Sequence, residues 1–153
     1  MTDHDSARLS LPVSDRDHAQ GAADAAVTPL RFVFRNFPLG EMHPHAQHAA
    51  EAAEAAGAQG RFWEMHDALF EHQLALDERH LVKSAQALAL DHERLQRDLA
   101  SHTYAGRVRE DFRSGVRSGV NGTPTFFING VRHDGAWDVE SLTEALLATA
   151  VGR

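Results

Sequence analysis

The 153-residue chain contains no cysteine, and that absence removes disulfides, thiolate metal sites and sulfur nucleophiles together. Only a thiolate can attack a disulfide and pass through a mixed-disulfide intermediate, so thiol–disulfide exchange by this chain alone is excluded with them. Positive charge is also short. The 15 Lys and Arg stand against 22 Asp and Glu, a formal net charge of −7, which opposes binding to phosphate backbones and anionic lipid. Nucleic acid and membrane are therefore not expected partners, whereas small molecules and proteins are. No stretch offers about 18 uninterrupted apolar residues. Met1-Thr2-Asp3-His4-Asp5-Ser6-Ala7-Arg8 has neither a basic n-region nor an apolar h-region, and a cytoplasmic location is expected on that ground.

At 42% hydrophobic and 24% charged residues, the length suits one globular domain that buries about two thirds of its unfolded surface. Residues 1–25 lack periodicity and are expected to form an extended or disordered arm, leaving residues 26–153 as the domain. Leu30-Arg31-Phe32-Val33-Phe34-Arg35-Asn36-Phe37 reads as a mostly buried strand stopped by Pro38. After Pro44, an alanine-rich run closed by Gly57 predicts a helix. A second is predicted after Gly60, with Phe62, Trp63, His66, Leu69 and Phe70 as its apolar stripe. Asp77, Asp91 and Asp138 are placed to cap three more. A further helix follows Thr103, with Val108, Phe112 and Val116 on its buried side. Thr125-Phe126-Phe127-Ile128, then Asn129-Gly130, then Val131-Arg132-His133 predicts a tight hairpin, because the Asn-Gly pair tolerates the positive φ angles that such a turn requires.

Other chemistry is thin. His45 and His48 share a helix face near Glu41 and His43, yet two ligands do not make a metal site and no HExxH pattern occurs. No metal or cofactor is implied. His66-Asp67 lacks a positioned nucleophile and an oxyanion hole, so no hydrolytic triad is read there. Glu51 with Glu54, and Asp67 with Glu71, are expected to face solvent or to pair with Lys and Arg. Arg109, Arg113 and Arg117, with Glu110 and Asp111 beside them, read as a solvated, partly paired face. Trp63 and Trp137 are expected in the core or on a cleft wall.

The strand ending Asn36-Phe37-Pro38-Leu39, the segments His43-Pro44-His45-Ala46 and Gly57-Ala58-Gln59-Gly60-Arg61-Phe62-Trp63-Glu64-Met65-His66-Asp67, and the run Gly119-Val120-Asn121-Gly122-Thr123-Pro124-Thr125-Phe126-Phe127-Ile128-Asn129-Gly130 together resemble the DsbA-like branch of the thioredoxin superfamily. The resemblance runs from about Leu11 to the C-terminus. It implies an α/β thioredoxin-like fold with a helical insertion. Family members resemble this chain up to Val27-Thr28, then continue through a strand and a helix bearing the Cys-Pro-x-Cys type motif. Here Pro29 joins the two sides almost directly, so a strand and crossover helix are missing and about three strands are expected. The resemblance also implies that Thr123 and Pro124 form the cis-proline loop that pairs with extended polypeptide.

The expected function is thus a redox-inactive family member that binds extended polypeptide at Thr123 and Pro124. The alternatives are a member of a thiol–disulfide system whose redox segment is missing from this form or supplied by a partner, and a decayed gene product. Residues 30–37 are expected to slide into the vacated slot, at the sheet edge and antiparallel to residues 125–128; residues 22–28 or a second chain are the other candidates for the slot. Exposed apolar surface and self-association are expected to follow.

Overall fold

The computed structural model describes residues 30–150. In chain order these form α1 (Ala46–Gly57), α2 (Phe62–Glu71), α3 (Glu78–Ala87), α4 (His92–Ala100), α5 (Ala105–Arg117), β1 (Phe126–Ile128), β2 (Val131–His133) and α6 (Val139–Ala150). The architecture is mixed α/β, and the expectations for residues 1–25 and 22–28 lie outside the described residues. Two compact units divide the chain: a helical unit, Arg35–Asn121, and a hairpin unit that takes in described residues 30–34 and 122–150. No helix among the described residues is long and apolar enough to cross a membrane.

The helical unit is built around α1. Eight consecutive residues of this helix, 49–56, are buried, because six of them are alanines whose small side chains let other helices approach from all sides. Ala52, Ala53, Ala55 and Ala56 meet Met65 of α2, Leu81 and Ala85 of α3, Leu90, and Leu95 and Leu99 of α4. Burying each of the leucines contributes about 1.5–3 kcal/mol. Asp77 and Asp91 cap as their positions predict, accepting from the backbone N–H of His80 and Arg94 respectively. Each satisfies a donor that a helix start leaves over.

Two predicted faces are rotated. In α2 the fully buried residue is Met65, with Phe62 and Leu69 packed at the core's edge, while Phe70 is exposed. In α5 the inward positions are Val108 and Asp111 with half-buried Phe112, and Val116 is exposed. That face meets the segment before Pro38: Phe37 stacks on Phe112 with centroids 4.4 Å apart. A Cβ at Gly115 would lie 2.8 Å from Cδ2 of Phe37, so glycine is what lets the ring lie so close.

The first predicted strand is not formed as such. Among residues 30–39 only Arg31 holds a bridge position, and the strand pairing among the described residues is β1 with β2 alone. The expected three-stranded sheet is therefore a two-stranded one here. The antiparallel register pairs Phe126 with His133, Phe127 with Arg132 and Ile128 with Val131. The segment's second half turns to the helices. The Asn36 N–H donates to Oδ2 of Asp111 at 3.1 Å, and the Asn36 side-chain amide donates to Oε1 of Glu54 at 2.8 Å. Hydrogen-bonding groups committed to helical side chains are not available to a ladder. The hairpin turn forms as predicted, with φ of 50° at Asn129 and 84° at Gly130.

Candidate functional site

The loop from Gly122 to Thr125 leads directly into β1. Its backbone is closed by Thr125, whose hydroxyl donates to the Gly122 carbonyl at 2.7 Å. The Thr123–Pro124 peptide bond is cis, and both residues are exposed. Pro124 and Thr125 line a shallow cavity of about 180 Å³ together with Arg132, His133 and Trp137 from the far side of the hairpin. Trp137, 66% exposed, stands on the wall of this cavity and not in a core.

The turn after β2 is fixed locally. The His133 imidazole Nε2 lies 2.9 Å from the Ala136 carbonyl oxygen, and a Cβ at Gly135 would come within 2.8 Å of the same ring. Gly135 therefore leaves room for His133 to fold back over the turn. Arg132 Nε pairs with Asp134 Oδ1 at 3.0 Å. Asp138 accepts from both the backbone N–H and the hydroxyl of Ser141, each at 2.9 Å. Those hydrogen bonds hold its carboxyl below the usual carboxylate range, the backbone donor contributing most. The cap ties the start of α6 to the residue that follows Trp137.

Chemically, this loop offers exposed backbone, one aromatic wall and a compensated Arg–Asp pair. It presents no sulfur and no nucleophile with an adjacent base.

The helical unit holds a different polar arrangement, one that departs in part from the sequence expectation. Glu51 and Glu54 do not face solvent: they are 1% and 2% exposed, and Asp111 is 1% exposed. Glu51 accepts from the Gln47 side chain at 2.8 Å and lies 3.2 Å from Nδ1 of His102. Asp111 takes Arg35 Nη1 at 2.9 Å as well as the Asn36 backbone. Arg107 approaches both Glu54 and Asp111 at 3.8 Å. The carboxylates thus anchor the segment at residues 35 and 36 to α1 and α5. A signal was present in the sequence, since a helix with alanine on every side has no wet face and its two glutamates must be buried with it. The expected Arg stripe is paired in part: Arg117 donates to Glu110 at 2.7 Å, and both lie at the surface.

Among the described residues no group of His, Asp and Glu side chains is arranged to hold a metal ion. His45 stands at the start of α1 without a side-chain cap, and His48 packs on His102 with centroids 5.4 Å apart. Trp63 meets Phe62 edge-on at 5.2 Å.

Comparison with known proteins gives one family. A model described as DSBA-like thioredoxin domain matches residues 20–147. The chain is also similar to a Na(+)/H(+) antiporter NhaA 3 of Salinispora tropica, 40% identical over 168 residues that take in 92% of this chain and 26% of the relative. It is similar to a Na(+)/H(+) antiporter NhaA 1 of Salinispora arenicola, at 41% identity over 94% of this chain and 26% of the relative. A Na(+)/H(+) antiporter NhaA of Herminiimonas arsenicoxydans is 44% identical over 123 residues, 80% of this chain and 19% of the relative. The chain thus spans about a quarter or less of the length of these curated relatives. No solved structure matches the chain.

Proposed function

The chain belongs to the DSBA-like thioredoxin domain family, and from that premise we propose that it is a redox-inactive member which binds extended polypeptide at Thr123 and Pro124. The observation that carries this reading is the pairing of an intact, exposed loop with a chain that has no cysteine. Backbone groups of the loop would hold the bound chain, and the cavity beside Trp137 would receive one of its side chains. The test is a titration with an unstructured peptide followed by fluorescence. Alanine at Thr123 or Pro124 should weaken binding more than alanine at Arg113, an exposed residue of α5. Equal effects at all three positions would count against the loop.

A second reading is a member of a thiol–disulfide system whose redox segment is missing from this form or supplied by a partner. Alignment lengths favour it. The alignment to the Salinispora tropica relative has 168 positions, whereas 92% of 153 residues is about 141, so about 27 positions are filled in the relative alone. In the Herminiimonas arsenicoxydans alignment this chain fills about 122 of the 123 positions, since 80% of 153 is about 122. It leaves about 31 residues of this chain unused. A strand with its crossover helix is an insertion of this size. The names of the relatives suggest a setting beside a Na(+)/H(+) antiporter, in which this domain would serve as a polypeptide-binding accessory. Sequencing the gene across codons 27–30 distinguishes a continuous reading frame from a frameshift or a joining scar.

A further inference from the structure

We propose that the helical unit holds a second ligand site, for a small carboxylate carried on an apolar body, in the cleft between α1 and α5. The cleft has a volume of about 530 Å³, within the range of roughly 300–1,000 Å³ that small-molecule pockets occupy. Its apolar surface comes from Phe112, Pro38 and Ala105, and Phe112 is held in place by its stack on Phe37.

The polar groups decide the charge of the ligand. Arg107 is occupied by Glu54 and Asp111, and Arg117 by Glu110. Arg109 lines the cleft and has no ion-pair partner among the described residues. Glu51 also borders the cleft, but it is almost fully buried and each of its oxygens already faces a protein group: Gln47 Nε2 on one, His102 Nδ1 on the other. The acidic group is thus engaged from within, and the charge that the cleft presents to a ligand is the guanidinium of Arg109. Its planar fork matches a carboxylate through two parallel hydrogen bonds. An apolar body attached to that carboxylate would cover Phe112 and Pro38. This site shares no residue with the Thr123–Pro124 loop, and its test is independent of that reading.

The experiment is a titration of the full ¹⁵N-labelled chain with 3-phenylpropionate, its neutral amide 3-phenylpropanamide and the cation 3-phenylpropylamine, followed through backbone amide shifts. The acid should give saturable shifts at Ala105, Arg109 and Phe112, with binding weaker by roughly tenfold or more for the amide and the amine. Arg109→Gln should weaken binding of the acid by a similar roughly tenfold factor, whereas Arg113→Gln, on the same helix but outside the cleft, should leave it unchanged. The proposal is overturned by an amine that binds as well as the acid, by Arg109→Gln retaining full affinity, or by saturable shifts that map outside the cleft. Absence of any saturable shift with the acid overturns it equally.

Discussion

The helical unit and the hairpin unit solve the problem of burial differently. From residue 35 to 121, alanine, leucine and methionine side chains from α1 to α4 close on one another, and Met65, Leu81 and Leu95 are essentially inaccessible. In the hairpin unit none of the described residues 30–34 and 122–149 is buried, and Trp137, Val139, Val131 and Leu147 are exposed. The first unit carries its own core. Among its described residues the second presents two strands of three residues and one helix. The lesson is that the helical part of such a fold closes a core of its own, whereas the described residues of the hairpin unit do not.

The sharpest way to break this contrast is truncation on both sides of it. Leu95→Ala, at a fully buried position, should cost about 2–5 kcal/mol in urea unfolding. Leu147→Ala, at an exposed position of α6, should change stability by less than about 0.5 kcal/mol. Similar losses at the two positions would erase the distinction.

A smaller effect is expected from the anchor between residues 35–36 and the helices. Asp111→Asn keeps the shape but loses the charge, weakening the contact to Arg35 and leaving an amide where two donors point. A loss of about 1–3 kcal/mol is expected, with faster hydrogen exchange at the Asn36 amide. An unchanged exchange rate there would show that Asp111 does not hold the segment.

The smallest effect concerns acid. Asp77 and Asp138 both have carboxyls held below their ordinary value of 3.8, Asp77 chiefly by its hydrogen bond with His80 and Asp138 chiefly by the Ser141 backbone. Folded values below unfolded ones mean that their stabilisation is present above about 3.8 and is lost as pH falls through the folded values. Amide exchange at the first turns of α3 and α6 should therefore quicken below pH 3.8. Asp138→Ala should abolish that pH dependence in α6 and leave it in α3. Persistence of the α6 dependence in the variant would point to another titrating group.

Much of the fold was legible because its signals are local. Alanine runs, aspartates one residue before a helix, and Asn129-Gly130 each act within a few residues, and all gave elements where they were expected. The misreadings involve partners distant in sequence. Residues 30–37 have strand composition, but Asn36 is claimed by Asp111, which lies 75 positions away, and no periodicity announces that contact. The burial of Glu51 and Glu54 is hard to see from spacing because a helix ordinarily keeps one solvated face, which α1 lacks. At the candidate site, Thr123 and Pro124 were legible through family resemblance. Trp137, expected in the core or on a cleft wall, lines the same cavity as Pro124.

The most direct test of the central claim is hydrogen exchange of the full chain with and without a permanently unfolded polypeptide, reduced and carboxymethylated α-lactalbumin. Polypeptide binding at the loop predicts added protection confined to residues 122–137, absent when Pro124 is replaced by alanine. Protection confined to the helical unit, or no change anywhere at saturating polypeptide, would contradict it.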